Sequence, residues 1–243
     1  MVDHKQNKSR HKPLFRIFND INERYDLINR LFTWGMDKNW RDRLVTEMLK
    51  SRPQKVLDVG CGTGDLTIRI AQSAQENITV SGYDFSRPML DIAERKARKC
   101  IARERISFIH GDAAGMPFRD ATFDCIGISF ALRNLLFENP SAHQYLCEIF
   151  RVLKPGGKFL SVDSSQPQNK IIRWLDHLYL CTYVYTIGMV ISGDRCAYKY
   201  LTRSAMNFDS PEQLEKRFLA AGFHKFFYQP LFFGAAAIYG ATK

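Results

Sequence analysis

Two spacings of apolar residues divide this chain into regions of different structure. In residues 15–50, apolar side chains recur every three or four positions, which is the spacing of one face of an α-helix. These side chains are Phe18, Ile21, Tyr25, Ile28 and Phe32. Gly35 interrupts the pattern, and a second helical stretch is predicted from about Trp40 to Leu49. We therefore expect a helical cap over residues 13–52.

From residue 55 onward, short apolar runs rich in β-branched residues replace the helical spacing. The first five runs are KVLDVG (55–60), ITVSGYD (78–84), ISFIH (106–110), FDCIGIS (123–129) and KFLSVD (158–163). Continuous apolar runs of this length are typical of parallel strands that are covered on both faces. Helical stretches separate them at 65–75, 87–103 and 143–153. This alternation predicts a doubly wound α/β sheet with helices on both faces.

The last third of the chain departs from this alternation. A helical insertion is predicted over 170–207, followed by a helix at 211–221 and strands at 223–228 and 235–242. The first twelve residues, MVDHKQNKSRHK, are basic and precede no apolar segment, so they are not a secretory signal and are expected to form a disordered tail. We predict one domain over residues 13–243.

The composition excludes some classes of function but does not identify one. The six cysteines form no CxxC pair and the six histidines are dispersed, so we expect a reducing cytoplasm, no disulfide framework and no metal. The formal net charge of +10 fits nucleic acid, an anionic membrane surface or an acidic small molecule as partner, but a surface that is simply basic is the preferred interpretation of the charge taken alone. Charge alone does not choose among these.

The strongest local signal is the segment VLDVGCGTGDL (56–66). A predicted strand ends near Asp58, then Gly60, Gly62 and Gly64 alternate before a predicted helix, a context in which glycines let the backbone approach a ligand. The dinucleotide fingerprint GxGxxG is not matched. Asp65 places a carboxylate where a pyrophosphate would need bare amides, which favours a cationic or amino-bearing ligand.

Further acids lie at the ends of the next two predicted strands. Asp84 can accept the two hydroxyls of a ribose, and Asp112 can accept an exocyclic amine while the small Ala113 leaves room for a flat ring. Each aspartate alone is more simply read as a cap or turn residue. Together with Asp58 at one edge of a sheet, they predict a nucleoside-bearing, partly cationic cofactor, and S-adenosylmethionine fits that description.

The buried run CIGISFAL ends in Arg133 and Asn134. A polar surface loop is the simpler interpretation, and a pair of residues lining a site is the alternative.

Several segments carry a resemblance that spans nearly the whole chain. DVGCGTGDL, YDFSRPML, GDAAGMPF, FDCIGISFALRN and RVLKPGGKFLSVD resemble the successive motifs of class I S-adenosylmethionine-dependent methyltransferases. FNDINERYDLINRLFTWGMDKNWR, FALRN and GDRCAYKYLTRS resemble, more narrowly, the ubiquinone/menaquinone biosynthesis C-methyltransferases. Two late segments, NFDSP (207–211) and FFGAAAIYGATK (232–243), depart from the family's usual pattern, and both departures concern the acceptor pocket rather than the cofactor.

The resemblance implies a Rossmann-like seven-stranded sheet with a helical cap and a helical insertion before the last two strands. It implies S-adenosylmethionine as methyl donor and a polyprenyl quinol as acceptor. The reaction would convert demethylmenaquinol to menaquinol, or methylate a 2-methoxy-6-polyprenyl-1,4-benzoquinol. The cofactor contacts implied by the family fall on Thr63, Asp84, Asp112, Ala113 and Ser129.

C-methylation of a quinol ring requires a phenolate, and a phenol has a pKa of about 10. The Arg133 guanidinium would lower that pKa by about one to three units, and a water held by Arg133 and Asn134 would carry the proton away. Tyr25 is either a core tyrosine or a hydrogen-bond partner of the quinol. Asp194, Tyr198 and Tyr200 are weaker candidates, for which a structural role is the preferred interpretation.

The segment LDHLYLCTYVYTIGMVI (175–191) is too short and too polar, at Asp176 and His177, to span a bilayer. It would form a tunnel for the prenyl tail, rest on the membrane or pack as a core helix. With the basic N-terminus it leads us to expect peripheral contact with the cytoplasmic membrane face. Oligomeric state stays open, a homodimer included.

Rival functions have weaker support. A nucleic-acid amino-methyltransferase would carry a Pro-Pro-aromatic motif where this chain has ALRN, and a cytosine-carbon enzyme would carry a Pro-Cys pair, which does not occur. We therefore expect no nucleic-acid partner. A non-catalytic protein would tolerate a degraded glycine loop, which is not seen. Another lipid or small-molecule acceptor remains the alternative.

Overall fold

The computed structural model describes residues 25–74, 77–192 and 195–243. The tail expected over 1–12 and the beginning of the expected cap lie outside the described residues.

The centre of the protein is a sheet of seven strands in the order β3-β2-β1-β4-β5-β7-β6. β1 to β5 are mutually parallel, and β7 is antiparallel to both β5 and β6. The strands are β1 (Lys55–Val59), β2 (Thr79–Asp84), β3 (Ile106–His110), β4 (Phe123–Ser129), β5 (Leu153–Ser164), β6 (His224–Leu231) and β7 (Ala236–Thr242). The predicted seven-stranded, doubly wound class is confirmed.

Ten α-helices accompany the sheet within the described residues. They are α1 (Tyr25–Phe32), α2 (Met36–Leu49), α3 (Asp65–Ser73), α4 (Arg87–Ala97), α5 (Leu132–Leu136), α6 (Ala142–Val152), α7 (Lys170–Tyr179), α8 (Tyr185–Ser192), α9 (Arg195–Met206) and α10 (Pro211–Ala220). A π-helical turn, Leu180–Val184, joins α7 to α8. The chain between β5 and α10 is thus largely helical.

Each face of the sheet carries its own apolar cluster. On one face α2, α3 and α4 supply Leu44, Met48, Ile70 and Ala97, and on the other α6 and α10 supply Ile149, Phe218 and their neighbours. The N-terminal helix α2 is therefore a layer of the core, with the Met48 methyl filling the space above Gly127 of β4. Continuous apolar strands are expected from burial on both faces.

Several elements differ from the sequence prediction, and β5 begins at Leu153, five residues before the predicted start. The helix expected over 87–103 ends at Ala97. The prediction was too long because Cys100 and Ala102 continue the apolar spacing and pack against the sheet, although they lie in the turn that follows the helix. The short helix α5 was not predicted, since five residues are too few to establish a helical period.

Several connecting segments lie at the carboxyl edge of the parallel strands. The start of β7 pairs with the end of β5 through Ala236 and Ser164, so the β6–β7 turn lies at this edge. The insertion and the α1–α2 turn also touch: Trp34 stacks on Tyr183 at 5.7 Å, and the Tyr179 hydroxyl donates to the Phe32 carbonyl at 2.9 Å.

Candidate functional site

The glycine loop between β1 and α3 has a left-handed backbone at Gly60, Gly62 and Gly64, with φ values of 67°, 53° and 80°. At Gly60 two features exclude a side chain. The backbone is left-handed, and an added Cβ would lie 2.8 Å from the Ala131 Cβ. Gly60 donates its amide to the Tyr83 carbonyl at 2.8 Å, which closes the loop onto the end of β2. The loop is thus a backbone cradle between two strand ends.

Asp84 fastens this cradle. One carboxylate oxygen accepts the Gly62 amide at 2.8 Å and the other accepts the Ser86 amide at 2.8 Å. Burial raises the pKa of the Asp84 carboxyl, and hydrogen bonds from backbone amides oppose the rise. Since a carboxylate offers about four acceptor positions, Asp84 retains capacity for a hydroxyl donor beyond these amides.

Asp58 is fully buried at the end of β1. One oxygen accepts the Thr67 hydroxyl at 2.6 Å, while the other, Oδ1, has no hydrogen-bond partner within the described structure. Desolvation raises the pKa of the Asp58 carboxyl to about 7, helped by the negative charge of Asp84. An unpaired buried carboxylate oxygen favours a cationic or amino-bearing ligand at this place.

The structure gives Asp65 a different partner from the one expected. The Lys96 ammonium lies 2.6 Å from the Asp65 carboxylate and donates to the Thr63 hydroxyl at 3.0 Å. The charge that seemed free to attract a cationic ligand is therefore shared with Lys96, because α4 packs beside the start of α3. Thr63 is buried beneath the same lysine.

Asp112 and Ala113 follow β3 as predicted from the sequence, and the turn interpretation describes the contact that Asp112 makes. The exposed Asp112 side chain accepts the Ala114 amide at 2.9 Å, as a turn residue does. The Tyr83 hydroxyl donates to the Asp112 carbonyl at 3.1 Å, which ties this turn to the end of β2. Ala113 is buried beside it.

Ser129 ends β4 and leads to a pair of residues that sequence reasoning missed. The Arg41 guanidinium donates to the Ser129 hydroxyl at 3.0 Å and lies 5.0 Å above the Phe130 ring. Asp37, one helical turn earlier, pairs with Arg41 at 2.5 Å, and both side chains are about 93% buried. The spacing Asp-x-x-x-Arg in MDKNWR was the available signal, because i,i+4 charges face each other on a helix.

Arg133 lies on α5, directly after β4, and is buried. Its backbone amide donates to Asp163 at 3.0 Å and its guanidinium donates to the Ser164 hydroxyl at 2.9 Å, so it spans the ends of β4 and β5. Its Nε has no partner among the described residues. The arginine at the end of the apolar run therefore lies at the carboxyl edge of the parallel strands.

Two further groups surround Arg133. The fully buried Asp163 ends β5, and burial raises the pKa of its carboxyl while the Arg133 charge opposes the rise. The Tyr200 hydroxyl of α9 is buried without a partner in the described structure, and desolvation raises its pKa against the attraction of Arg133. Sequence reasoning gave Tyr200 a structural role and did not single out Asp163. Only the folded chain brings them to Arg133.

The remaining predicted residues are placed less closely. Asn134 is half-buried on α5 beside Arg133. Tyr25 begins α1, and its side chain, like Asp194, lies outside the described residues. Tyr198 is buried and packs edge-on against Phe32 at 5.8 Å, which suits the structural role predicted for it.

The predicted residues thus form two adjoining groups. Asp58, the glycine loop, Asp84 and Ala113 lie at the ends of β1 to β3, while Arg133 lies at the ends of β4 and β5. The two groups adjoin, because a Cβ added at Gly60 would lie 2.8 Å from the Cβ of Ala131, two residues before Arg133. This arrangement fits S-adenosylmethionine. It offers carboxylates to the cofactor's hydroxyls and amine, a backbone cradle, and a small residue beside that cradle.

One departure from the resemblance has a structural counterpart. Residues of the NFDSP segment line a cleft of about 450 Å³, together with side chains from α7 and from the chain that precedes it. These include Phe208 and Ser210 on one side, and Gln166, Arg173 and His177 on the other. The segment thus borders the insertion and lies apart from the glycine loop.

Comparisons with known proteins agree on one family. The profile of the ubiE/COQ5 methyltransferase family matches residues 3–243. The demethylmenaquinone methyltransferase of Lactiplantibacillus plantarum is 36% identical over 93% of this chain and 94% of its own length. The enzyme of the same name from Thermotoga maritima is 37% identical, over 94% and 95% respectively.

Among solved structures, a SAM-dependent methyltransferase from Thermotoga maritima, described as a possible histamine N-methyltransferase, has the same fold. It superposes with a TM-score of 0.61 over 94% of this chain and 99% of its own, at 19% identity.

Proposed function

Since the chain belongs to the ubiE/COQ5 methyltransferase family, we propose that it methylates a ring carbon of demethylmenaquinol to form menaquinol. Its similarity to demethylmenaquinone methyltransferases along nearly the whole chain carries this proposal. The position of Arg133 beside the cofactor cradle supports it.

S-adenosylmethionine supplies an electrophilic methyl group when bound. Asp84 would accept the ribose hydroxyls, Asp112 and Ala113 would flank the base, and Asp58 would face the amino group of the methionine part. Thr63, Ser129 and the amides of Gly60, Gly62 and Gly64 would complete the binding site. Each assignment rests on the chemistry of the group and on its place at the carboxyl edge.

Arg133 would prepare the acceptor. Its guanidinium is buried, so a quinol oxygen beside this cation loses its proton more readily and the ring carbon gains nucleophilic character. The Nε group, which has no partner within the described structure, is a donor of suitable chemistry for that oxygen.

The proton of the quinol needs a route away from the site. Arginine is a poor base, so a water held by Arg133 and Asn134 would receive the proton, and Tyr25 would hydrogen-bond the quinol from α1. Most of the rate enhancement would come from holding the ring carbon in line with the methyl group and from excluding water.

Methyl transfer from isotopically labelled S-adenosylmethionine tests the proposal. Reduced demethylmenaquinol and a 2-methoxy-6-polyprenyl-1,4-benzoquinol would be offered separately, and the products followed by mass. Label in the naphthoquinol ring alone is the expected result. Label in the benzoquinol would extend the substrate range, and no label in either, with the cofactor still bound, would refute the quinol assignment.

The substrate's prenyl tail places the proposed reaction at a membrane. No helix within the described ranges has both the length and the apolar content needed to cross a bilayer. We propose that the protein makes a peripheral, reversible contact with the cytoplasmic membrane face, because a prenylated acceptor resides in lipid. A homodimer is compatible with this placement.

A further inference from the structure

We infer that the carboxyl edge of the sheet carries an aromatic rim that docks on an anionic bilayer. The rim consists of Trp34, Trp174, Leu178 and Phe233, with their exposed apolar neighbours. The inference rests on the proposed function, since a prenylated acceptor resides in lipid. It goes further by assigning the contact to named side chains of the folded domain and not to the basic N-terminal tail.

The helix α7 presents its apolar face to solvent. Ile171, Trp174, Leu175 and Leu178 recur at helical spacing and are 70%, 63%, 52% and 46% exposed. No residue of α7 is buried. A helix of a globular protein normally turns such a stripe toward the core, so an outward stripe indicates an apolar partner.

A second element continues this surface. Trp34, in the turn between α1 and α2, is 70% exposed. It stacks on Tyr183 and donates its indole N–H to the Tyr179 hydroxyl at 2.9 Å, so it is held against the end of α7. A fixed, exposed tryptophan with its polar atom satisfied is typical of side chains at a membrane interface.

The β6–β7 turn adds a third element at the same edge. Phe232 and Phe233 are 51% and 76% exposed, and both have a left-handed backbone, with φ of 42° and 54°. The next residue, Gly234, lies against Pro167, in the segment that leads to α7. Two exposed phenylalanines on a strained turn are consistent with a surface that becomes buried when a partner binds.

The charges around the rim favour anionic lipid. Arg30 and Lys38 flank Trp34 along the chain, and Lys170 and Arg173 flank the stripe of α7, all four with exposed side chains. The acids of these segments are turned inward, with Asp37 buried against Arg41 and Asp176 half-buried. An apolar stripe edged by cations describes an interfacial helix on an anionic surface, whereas the centre of a protein interface is depleted of lysine.

The opposite edge of the sheet provides a matched comparison. Ile101 precedes β3 and is fully exposed, but it stands there without a comparable stripe. Scattered exposed apolar residues of this kind are common and indicate no partner. A glutamate at Ile101 therefore controls for the added negative charge and for loss of an exposed apolar group.

Co-sedimentation with vesicles tests the rim. The full chain, Trp174→Glu, Phe233→Glu and Ile101→Glu would be mixed with phosphatidylcholine vesicles with and without phosphatidylglycerol. We expect binding only with phosphatidylglycerol, a loss of about tenfold or more for Trp174→Glu and Phe233→Glu, and no loss for Ile101→Glu, since each rim side chain buries its apolar area in lipid. Near-native circular dichroism would exclude unfolding as the cause.

Three outcomes would overturn the inference: no binding by the full chain, an equal loss in Ile101→Glu, or a dimer in solution that Trp174→Glu dissociates while vesicle binding is unchanged. A methyl-transfer assay without vesicles, on a quinol with a one-unit prenyl tail, distinguishes failure of this inference from failure of the proposed function. Turnover of that quinol by Trp174→Glu at the full chain's rate supports a docking role, and loss of turnover counts against it. Failure of the full chain on the same quinol refutes the function alone.

Discussion

The two halves of the site are built in different ways. At the ends of β1 to β3, backbone amides and acids close on one another: one oxygen of Asp84 holds the Gly62 amide of the glycine loop, and the other holds the Ser86 amide. At the ends of β4 and β5, buried polar atoms of Arg133 and Tyr200 have no partner within the described structure. The cofactor half is thus mainly a preformed backbone shape, with the Asp58 Oδ1 atom as its one acceptor named above that has no partner among the described residues, whereas the acceptor half is a set of side chains with unpartnered donor groups.

This difference separates the effects of substitutions. Changes in the cofactor half should alter cofactor affinity or folding, because the cradle is part of the sheet's hydrogen-bond network. Changes in the acceptor half should alter turnover and leave cofactor binding intact. Five predictions test this contrast.

The largest effect on cofactor affinity is expected for Gly60→Ala. The added Cβ meets Ala131 at 2.8 Å on a left-handed backbone, so the loop must move off the end of β2. We expect cofactor affinity, measured by calorimetry, to fall by about 100-fold or more, as strain of about 3 kcal/mol implies. Gly115→Ala, whose Cβ would meet open space, is the control. Equal affinities for both variants would contradict the preformed cradle.

The second prediction concerns the junction of the two halves. Arg41→Ala leaves the Asp37 carboxylate buried without its partner, so the free energy of unfolding should fall by about 3–5 kcal/mol. Chemical denaturation measures it. The double variant Asp37→Asn with Arg41→Gln should recover part of the loss, because the unpaired charge is removed. No recovery would mean that packing on Phe130, and not the ion pair, dominates.

The third prediction concerns the acceptor half. Arg133→Met should lower turnover by about 10–1,000-fold, since a nearby cation lowers a phenol pKa by about one to three units. Cofactor affinity should stay within about twofold. The rising limb of the turnover–pH profile should move to higher pH, and Arg133→Lys should restore part of the rate. An unchanged pH profile would assign Arg133 a purely structural role.

The smallest effect is a pH dependence of cofactor binding through Asp58. With its pKa raised to about 7, the carboxyl is largely protonated below that pH and must release the proton to face a cationic ligand. Affinity should therefore rise with pH, by at most about tenfold per unit below 7, and level off above it. Calorimetry in buffers of different ionisation enthalpy would detect the released proton. In Asp58→Asn the dependence should disappear.

The same carboxyl has an opposite effect on the stability of the unliganded protein. The folded state holds a proton that the unfolded chain has lost above about pH 4, so the free energy of unfolding should fall as pH rises from about 4 to about 7. Asp58→Asn should show no such fall, and a parallel decline in both proteins would exclude Asp58 as its source.

Much of the fold followed from local patterns. The seven strands and the helices between them were readable because a strand buried on both faces is a continuous apolar run, and a helix shows its own period. The prediction of α4 shows the limit of such patterns, because Cys100 and Ala102 continue the helical spacing of apolar residues beyond the end of the helix. The cofactor half was readable for a related reason: its glycines and acids lie at strand ends, where topology alone brings them together.

The acceptor half was only partly readable. Arg133 was visible as a cation at the end of a buried strand. Asp163 and Tyr200 looked like the end of another strand and an ordinary helical tyrosine, and Arg41 lay in a helix expected to be a cap. Each acquires its role from a neighbour distant in sequence, and no local pattern encodes such a pair.

The sequence by itself therefore determined the class of fold, the order of its elements and the place of the cofactor cradle, because each depends on spacing within one strand–loop–helix unit. The tertiary structure decided which side chains meet Arg133, which charge Asp65 faces and which apolar face of α7 stays exposed. These depend on how distant helices pack over the sheet edge, where burial and charge are set by the whole chain and not by any segment of it.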